Sequence, residues 1–157
     1  MEELTLRPLE EGDVPLVESW LQQDHVRRWF EHPEDWMAEL GQRHGEFAWI
    51  HHFIVMHGGE PMGFCQYYDC YDAKEEWYYL PRSGEVYSLD YLIGDSNALG
   101  KGYGKKIVGL ILAKIGEIDS ARWVLAQPDE DNQASAGVLS ANGFLYDEEK
   151  KYYIKHL

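Results

Sequence analysis

The sequence predicts an α+β fold on a mixed sheet, and three observations carry that prediction. Residues 47–56 (FAWIHHFIVM) and 61–69 (PMGFCQYYD) are apolar, aromatic-rich runs joined through His57-Gly58-Gly59-Glu60, the pattern of an antiparallel hairpin. Residues 85–93 (EVYSLDYLI) form a further strand, followed by a glycine-rich turn, an amphipathic helix and a strand at 122–126 (RWVLA). That strand–turn–helix–strand order calls for a parallel crossover. The 157 residues, 45% apolar and 14% aromatic, are enough for one ordinary domain with a real core, and no repeat, low-complexity tract or linker divides them.

The remaining elements follow in chain order. Residues 4–9 (LTLRPL) alternate apolar and polar side chains, as a half-buried strand does. Glu10-Glu11-Gly12-Asp13 marks a turn, with Asp13 as N-cap and Pro15 in the first turn of a helix whose apolar stripe is Leu16, Val17 and Trp20. Asp24 is suited to cap a short helix carrying Val26, Trp29 and Phe30. Pro33 then opens a third helical segment, 34–42, with Trp36, Met37 and Leu40 on one side. Residues 71–83 read as a polar, acidic loop holding an aromatic knot, Trp77-Tyr78-Tyr79. The helix at 105–115 has the stripe Ile107, Val108, Ile111, Leu112 and Ile115. A second helix, 132–141, stops at Asn142-Gly143, and 144–155 supply one or two closing strands.

Lys and Arg number 14 against 28 Asp and Glu, a net charge of −14. Such a surface repels phosphate backbones, which argues against nucleic acid and anionic membrane as partners. It would draw in a cationic small molecule or a basic peptide, or serve solubility alone. No stretch approaches the ~20 apolar residues of a spanning helix, and Met1-Glu2-Glu3-Leu4 has the wrong charge for a secretory leader. Cys65 and Cys70 form neither a CxxC pair nor a disulfide framework, so free thiols in a reducing cytoplasm are expected.

Leu99-Gly100-Lys101-Gly102-Tyr103-Gly104-Lys105 is the most informative stretch. Glycines at alternate positions strip Cβ atoms from one side of a tight turn, and the helix that follows adds unpaired N–H groups and a positive dipole end. Such a turn suits a pyrophosphate. It is not a P-loop, because five residues separate Gly94 from Gly100 and Gly102 follows Lys101. Nor is it a dinucleotide fingerprint, whose third glycine would fall on Lys105. On spacing alone, a tight strand-to-helix turn with no ligand stays open.

The order of strand, G-K-G-x-G turn, helix, strand, asparagine-capped helix and Ala141-Asn142-Gly143-Phe144 resembles the GNAT superfamily of N-acetyltransferases. Leucine at the head of the turn, with Asp90 nine residues before it, is closest to the aminoglycoside 6′-N-acetyltransferase group. The D-H-V-x-x-W-F run from Asp24 to Phe30 and G-E-P-M-G-x-x-Q-x-Y from Gly59 to Tyr68 are similar to that group too. The resemblance implies a mixed, mostly antiparallel, V-splayed sheet flanked by helices. Acetyl-coenzyme A would lie between two parting strands, with no metal. Asp90, Tyr91, Leu92 and Ile93 would line that cleft. The turn formed by Leu99, Gly100, Lys101, Gly102, Tyr103, Gly104 and Lys105 would hold the pyrophosphate, and Asn132 would face the pantetheine arm or the coenzyme end. The acetyl group would pass directly to the amine of a cationic small molecule, an aminoglycoside-like acceptor preferred. Other amines (a polyamine, a siderophore hydroxylamine, a protein N-terminus) and a non-catalytic coenzyme A-binding module are the alternatives. Monomer and homodimer both remain open.

Asp90 follows Leu89 inside an apolar strand, where an unpaired carboxylate is costly. An acceptor ammonium must lose a proton to attack, and a carboxylate at the cleft can orient it and take that proton. The alternative is an aspartate facing solvent, since Ser88, Asp90 and Leu92 share one face. Where many relatives carry a tyrosine able to protonate the leaving thiolate, this chain has Leu139; Tyr146, Tyr152 and Tyr153 are the substitutes to consider. Glu75, Glu76 and Trp77, with Trp29, Phe30 and Tyr68, are candidates for the acceptor pocket. Carboxylates hold ammonium groups there, and an indole face adds a cation–π attraction of ~0.5–2 kcal/mol. An ordinary solvated acidic loop is the competing reading. Asp129-Glu130-Asp131 fails as a calcium loop, because Ala134 stands where glycine is required. His51, His52 and His57 lack metal-ligand spacing.

Overall fold

The computed structural model describes residues 3–74 and 82–157. Seven strands, β1 (Leu4–Pro8), β2 (Ile50–His57), β3 (Glu60–Asp69), β4 (Val86–Ile93), β5 (Trp123–Ala126), β6 (Leu145–Asp147) and β7 (Tyr152–His156), form one sheet. Their order is β1-β2-β3-β4-β5-β7-β6, and among the described residues only β4 and β5 run parallel. The helices are α1 (Val14–Leu21), α2 (Asp24–Arg27), α3 (Pro33–Gly41), α4 (Cys70–Ala73), α5 (Tyr103–Gly116) and α6 (Gln133–Ala141). The hairpin and the crossover stand where the sequence puts them. Gly58 and Gly59, at φ 57° and 86°, supply the left-handed backbone of the β2–β3 turn.

Both faces of the sheet are covered. On one, Ile107, Val108, Ile111 and Ile115 of α5 and Leu139 of α6 pack on Val55, Cys65, Leu89 and Val124. On the other, Val17, Trp20 and Leu21 of α1, Val26 of α2 and Leu40 of α3 pack on Ile54, Phe64 and Leu92. The consecutive pairs Ile54–Val55 and Phe64–Cys65 are buried on opposite faces, which explains continuous apolar runs in these central strands. Each fully buried Leu, Ile or Val contributes about 1.5–3 kcal/mol. Among the described residues, no helix is long and apolar enough to cross a membrane.

Several local expectations are corrected. Asp24 is the first residue of α2 and Gln23 its N-cap, with no side-chain capping bond. Asp13 occupies the N-cap position of α1, but its carboxylate turns back to accept from both Arg7 guanidinium nitrogens at 2.7 and 2.8 Å and from the Glu10 N–H at 2.8 Å. A bidentate, charge-assisted pair outcompetes the cap, and Arg7 holds the Asp13 carboxyl below the usual carboxylate range. β2 begins at Ile50, because Phe47 N–H bonds back to Gln42 and Ile50 N–H to Phe47, in turns. The loop at 71–83 opens with the single helical turn α4. Asp69 caps it through the Tyr71 N–H and also accepts from the Gly84 N–H, which ties the loop's two ends together. Trp77, Tyr78 and Tyr79 lie outside the described residues.

Candidate active site

The parallel pairing of β4 with β5 runs only from Val86↔Trp123 to Ser88↔Leu125. β4 continues beside β3 as far as Gly63↔Ile93, so residues 89–93 keep one strand neighbour and part from the other. A cavity of about 830 Å³ opens at this splay. Tyr91, Leu92 and Ile93 line it, as do Leu99, Gly100, Gly102, Tyr103, Gly104, Lys105 and Asn132. Lys101 instead lines a small neighbouring pocket with His57, Glu60 and Asp95.

At one end of the cavity the glycine turn meets α5. Gly100 and Gly102 have φ of 76° and 81°, and a Cβ on either would meet nothing within 4 Å. Glycine is required there by backbone conformation, and the space above the turn stays open. Gly104 serves packing instead. A Cβ there would approach Val138 Cγ2 to 3.2 Å and Tyr91 Cε2 to 3.4 Å, so its absence lets α5 sit close on α6 and β4. No side chain caps the N-terminus of α5, which leaves its first amides and the positive dipole end for an anion. Asn132 caps α6, its Oδ1 accepting from the Ser135 N–H at 3.1 Å, so its amide N–H groups are what it can offer the cavity. The Tyr91 hydroxyl lies 3.5 Å from Ser135 Oγ, and burial pushes its pKa up, keeping it a neutral hydroxyl. Open turn, uncapped helix and parted strand edge together fit a pyrophosphate with an extended arm.

At the other end Asp90 sits half-buried between an aromatic wall and β3. Its neighbours on the same face, Ser88 and Leu92, are each only 3% exposed, so the face lies under the α1–α3 layer. Gln66 Nε2 donates to Asp90 Oδ2 at 3.0 Å. Trp29, Phe30 and Tyr68 line the cavity, joined by Trp36 and Trp49. Phe30 and Trp36 lie 4.8 Å apart between ring centroids, and Trp49 meets Tyr68 edge-on at 5.9 Å. The Arg28 guanidinium stacks 4.6 Å over the Trp29 ring, and Glu39 adds a carboxylate. His25 Nε2 donates to the Ile93 carbonyl at 2.8 Å, pinning α2 to the open edge of β4.

Glu75, Glu76 and Trp77 lie outside the described residues. Tyr146, Tyr152 and Tyr153 are not among the cavity-lining side chains, whereas buried Leu139 is; the hydroxyls that line the cavity are those of Tyr68, Ser88, Tyr91, Tyr103 and Ser135. Sequence reading missed Gln66, His25, Trp36, Glu39, Trp49 and Ser135 as lining residues. Of these, His25 and Gln66 are fixed letters of the D-H-V-x-x-W-F and G-E-P-M-G-x-x-Q-x-Y runs, and Gln66 is also the one amide in the apolar run of β3. Cys65 is fully buried and its thiol is pushed up to about 12 by that burial, so it is a neutral packing group. Among the described residues no three His, Cys, Asp or Glu come together as a metal site.

Residues 10–151 match the model of the acetyltransferase (GNAT) domain family. The chain is 23% identical over 147 residues to aminoglycoside N(6')-acetyltransferase type 1 of Klebsiella pneumoniae, covering 90% of this chain and 73% of the relative. The Serratia marcescens protein of the same name matches equally. Among solved structures, aminoglycoside acetyltransferase AAC(6')-Ib with coenzyme A and kanamycin superimposes at a TM-score of 0.83 and 21% identity, over 98% of this chain and 95% of that one. An uncharacterized Bacillus halodurans protein superimposes at 0.81 with 19% identity, over 99% of this chain and 83% of its own. With the family model spanning nearly the whole fold, the splayed strands and the open glycine turn have a common explanation: the chain belongs to the GNAT acetyltransferase family, and it is an acetyl-coenzyme A-dependent N-acetyltransferase.

Proposed function

We propose that the acceptor is the amine of a cationic small molecule, aminoglycoside-like in character, and that Asp90 is the group that prepares it for attack. The observation that carries this reading is the place of Asp90. It lies on the strand edge that parts from β5, half-buried, with aromatic side chains on one side and the glycine turn on the other. Two sequence relatives by name acetylate an aminoglycoside 6′ position, and solved relatives hold kanamycin or ribostamycin, which supports the substrate class.

Asp90 holds the acceptor ammonium by charge and receives its proton, directly or through a water. The freed nitrogen lone pair bonds to the acetyl carbon as the carbon–sulfur bond breaks, and the acylated nitrogen releases its second proton to solvent, giving an amide and a thiolate. The Gly100–Gly104 turn and the N-terminus of α5 fix the pyrophosphate, so that the thioester meets the amine in one orientation. Leu139 offers no proton. A thiol of ordinary pKa, ~8.5, can depart as thiolate and take its proton from solvent. Aromatic rings suit both ammonium groups and the apolar faces of sugar rings, and the net charge of −14 draws cations toward the cavity. Arg28 favours a second reading, in which the acceptor also bears an anionic group, as a hydroxylysine-type amine does.

The test is thiol release from acetyl-coenzyme A across a panel of kanamycin, tobramycin, spermidine, hydroxylysine and a basic peptide, with a no-acceptor control. Saturable release with an aminoglycoside supports the proposal. Release confined to hydroxylysine or the peptide replaces the acceptor class.

A further inference from the structure

Beside Asp90 lies a row of buried polar side chains that the chemistry above does not use. The strand register sets His52 of β2 opposite Gln66 of β3, and Gln66 opposite Asp90 of β4. All three stand on the face covered by α1–α3. Gln66 is only 3% exposed, flanked on the same face of β3 by the buried aromatic side chains of Phe64 and Tyr68. Burying a primary amide is costly unless its polar atoms are bonded, and here the amide nitrogen donates to Asp90 Oδ2 at 3.0 Å. His52, one strand further along, is pushed down to about 4, mainly by burial and also by Arg43 and His51, so it is neutral near pH 7. The row therefore gives the carboxylate a neutral, directional donor held rigid on the central strands.

We infer that Gln66 is a positioning residue: its amide N–H fixes the rotation of the Asp90 carboxylate at the acceptor end of the cavity. This inference rests on the reading of Asp90 as the base. Two alternative side chains at this position show what the amide supplies. Glutamate would set two carboxylates about 3 Å apart, which cannot both ionise readily, so one must hold a proton. Methionine would match the length and fill the space, yet donate nothing to the carboxylate. The charged and titratable groups sharing the cavity with Asp90 are His25 of α2, Arg28 just after it, Glu39 of α3, Tyr68 of β3, Tyr91 of β4, Tyr103 and Lys105 of α5, and Asp129 of the loop before α6. All of them stay in place in both variants, so differences between profiles isolate the amide.

The experiment compares wild type, Gln66→Glu, Gln66→Met and Asp90→Asn, each with a pH profile of kcat/KM, coenzyme A affinity and a thermal melt. Gln66→Glu should move the acid limb to higher pH by about one unit or more, because a shared proton must be removed before the base is free. Gln66→Met should shift that limb in the same direction. It should also cut kcat about tenfold to a hundredfold through loss of orientation, with coenzyme A affinity unchanged. If Gln66→Glu does not fold, Gln66→Met decides alone. A merely structural role would lower the melt and leave the limb where wild type has it, and that result overturns the inference. Failure of the underlying reading looks different: Asp90→Asn then turns over like wild type, whatever the Gln66 variants do.

Discussion

Gly102→Asp separates the requirements of folding from those of coenzyme binding. Gly102 has φ 81°, and a Cβ there would meet nothing within 4 Å. The substitution therefore costs only the strain of a left-handed residue, about 1–2 kcal/mol, against the 5–15 kcal/mol that stabilises a typical domain. The new carboxylate would face the pyrophosphate. Two like charges about 4 Å apart, at an effective dielectric of about 20, repel by about 4 kcal/mol. At 1.4 kcal/mol per tenfold, binding should weaken roughly a thousandfold. Isothermal titration with coenzyme A measures the loss, and a thermal melt shows that the fold persists. Gly102→Ala carries the same strain without the charge and should bind far better than the aspartate variant. Raising the salt concentration should narrow the gap between the two. Coenzyme A affinity within about threefold of wild type in Gly102→Asp would refute the assignment of this turn to the pyrophosphate.

Two further outcomes follow from side chains at the acceptor end and in the core beside it. Because the folded His52 imidazole resists protonation (6.5 lowered to about 4), the unfolded chain binds the extra proton between those values and stability falls as the pH drops through them. At 1.36 kcal/mol per unit the loss is about 3 kcal/mol by pH 4; urea unfolding across pH should show a curve flatter by that amount in His52→Gln, and parallel curves would contradict it. Arg28→Ala removes a cation from the cavity wall, so KM for a polycationic acceptor should fall about twofold to fivefold at low salt and less at high salt. A rise in KM would instead favour an acceptor with an anionic group.

The β2–β3 hairpin and the β4–β5 crossover were legible because they follow from local rules. Apolar runs bounded by glycine mark β2, β3 and β4, and the helical stripe after the glycine turn forces the crossover. The glycine turn stood out for a similar reason, being unusual in its own few residues, whereas Asp90 was singled out mainly by the family resemblance. What could not be read is whatever the fold brings together from afar. The Gln66–Asp90 bond joins residues 24 apart in sequence, and His25 reaches the Ile93 carbonyl across 68. Trp36, Glu39 and Trp49 reach the cavity through helix and turn placements that no local periodicity encodes. The cap expected at Asp13 failed by the same physics. Asp13 found a bidentate partner in Arg7, a tertiary contact stronger than the cap.

Turnover of Asp90→Asn, measured beside its coenzyme A affinity, tests the central claim most directly. The substitution keeps the size of the side chain and its place by Gln66 and removes the proton acceptor. The account predicts unchanged coenzyme A binding, an intact melt and a fall in kcat of about 10²–10⁴ at neutral pH with the best acceptor of the panel. Wild-type turnover in Asp90→Asn would contradict it, and would leave the splayed cleft without the base assigned to it here.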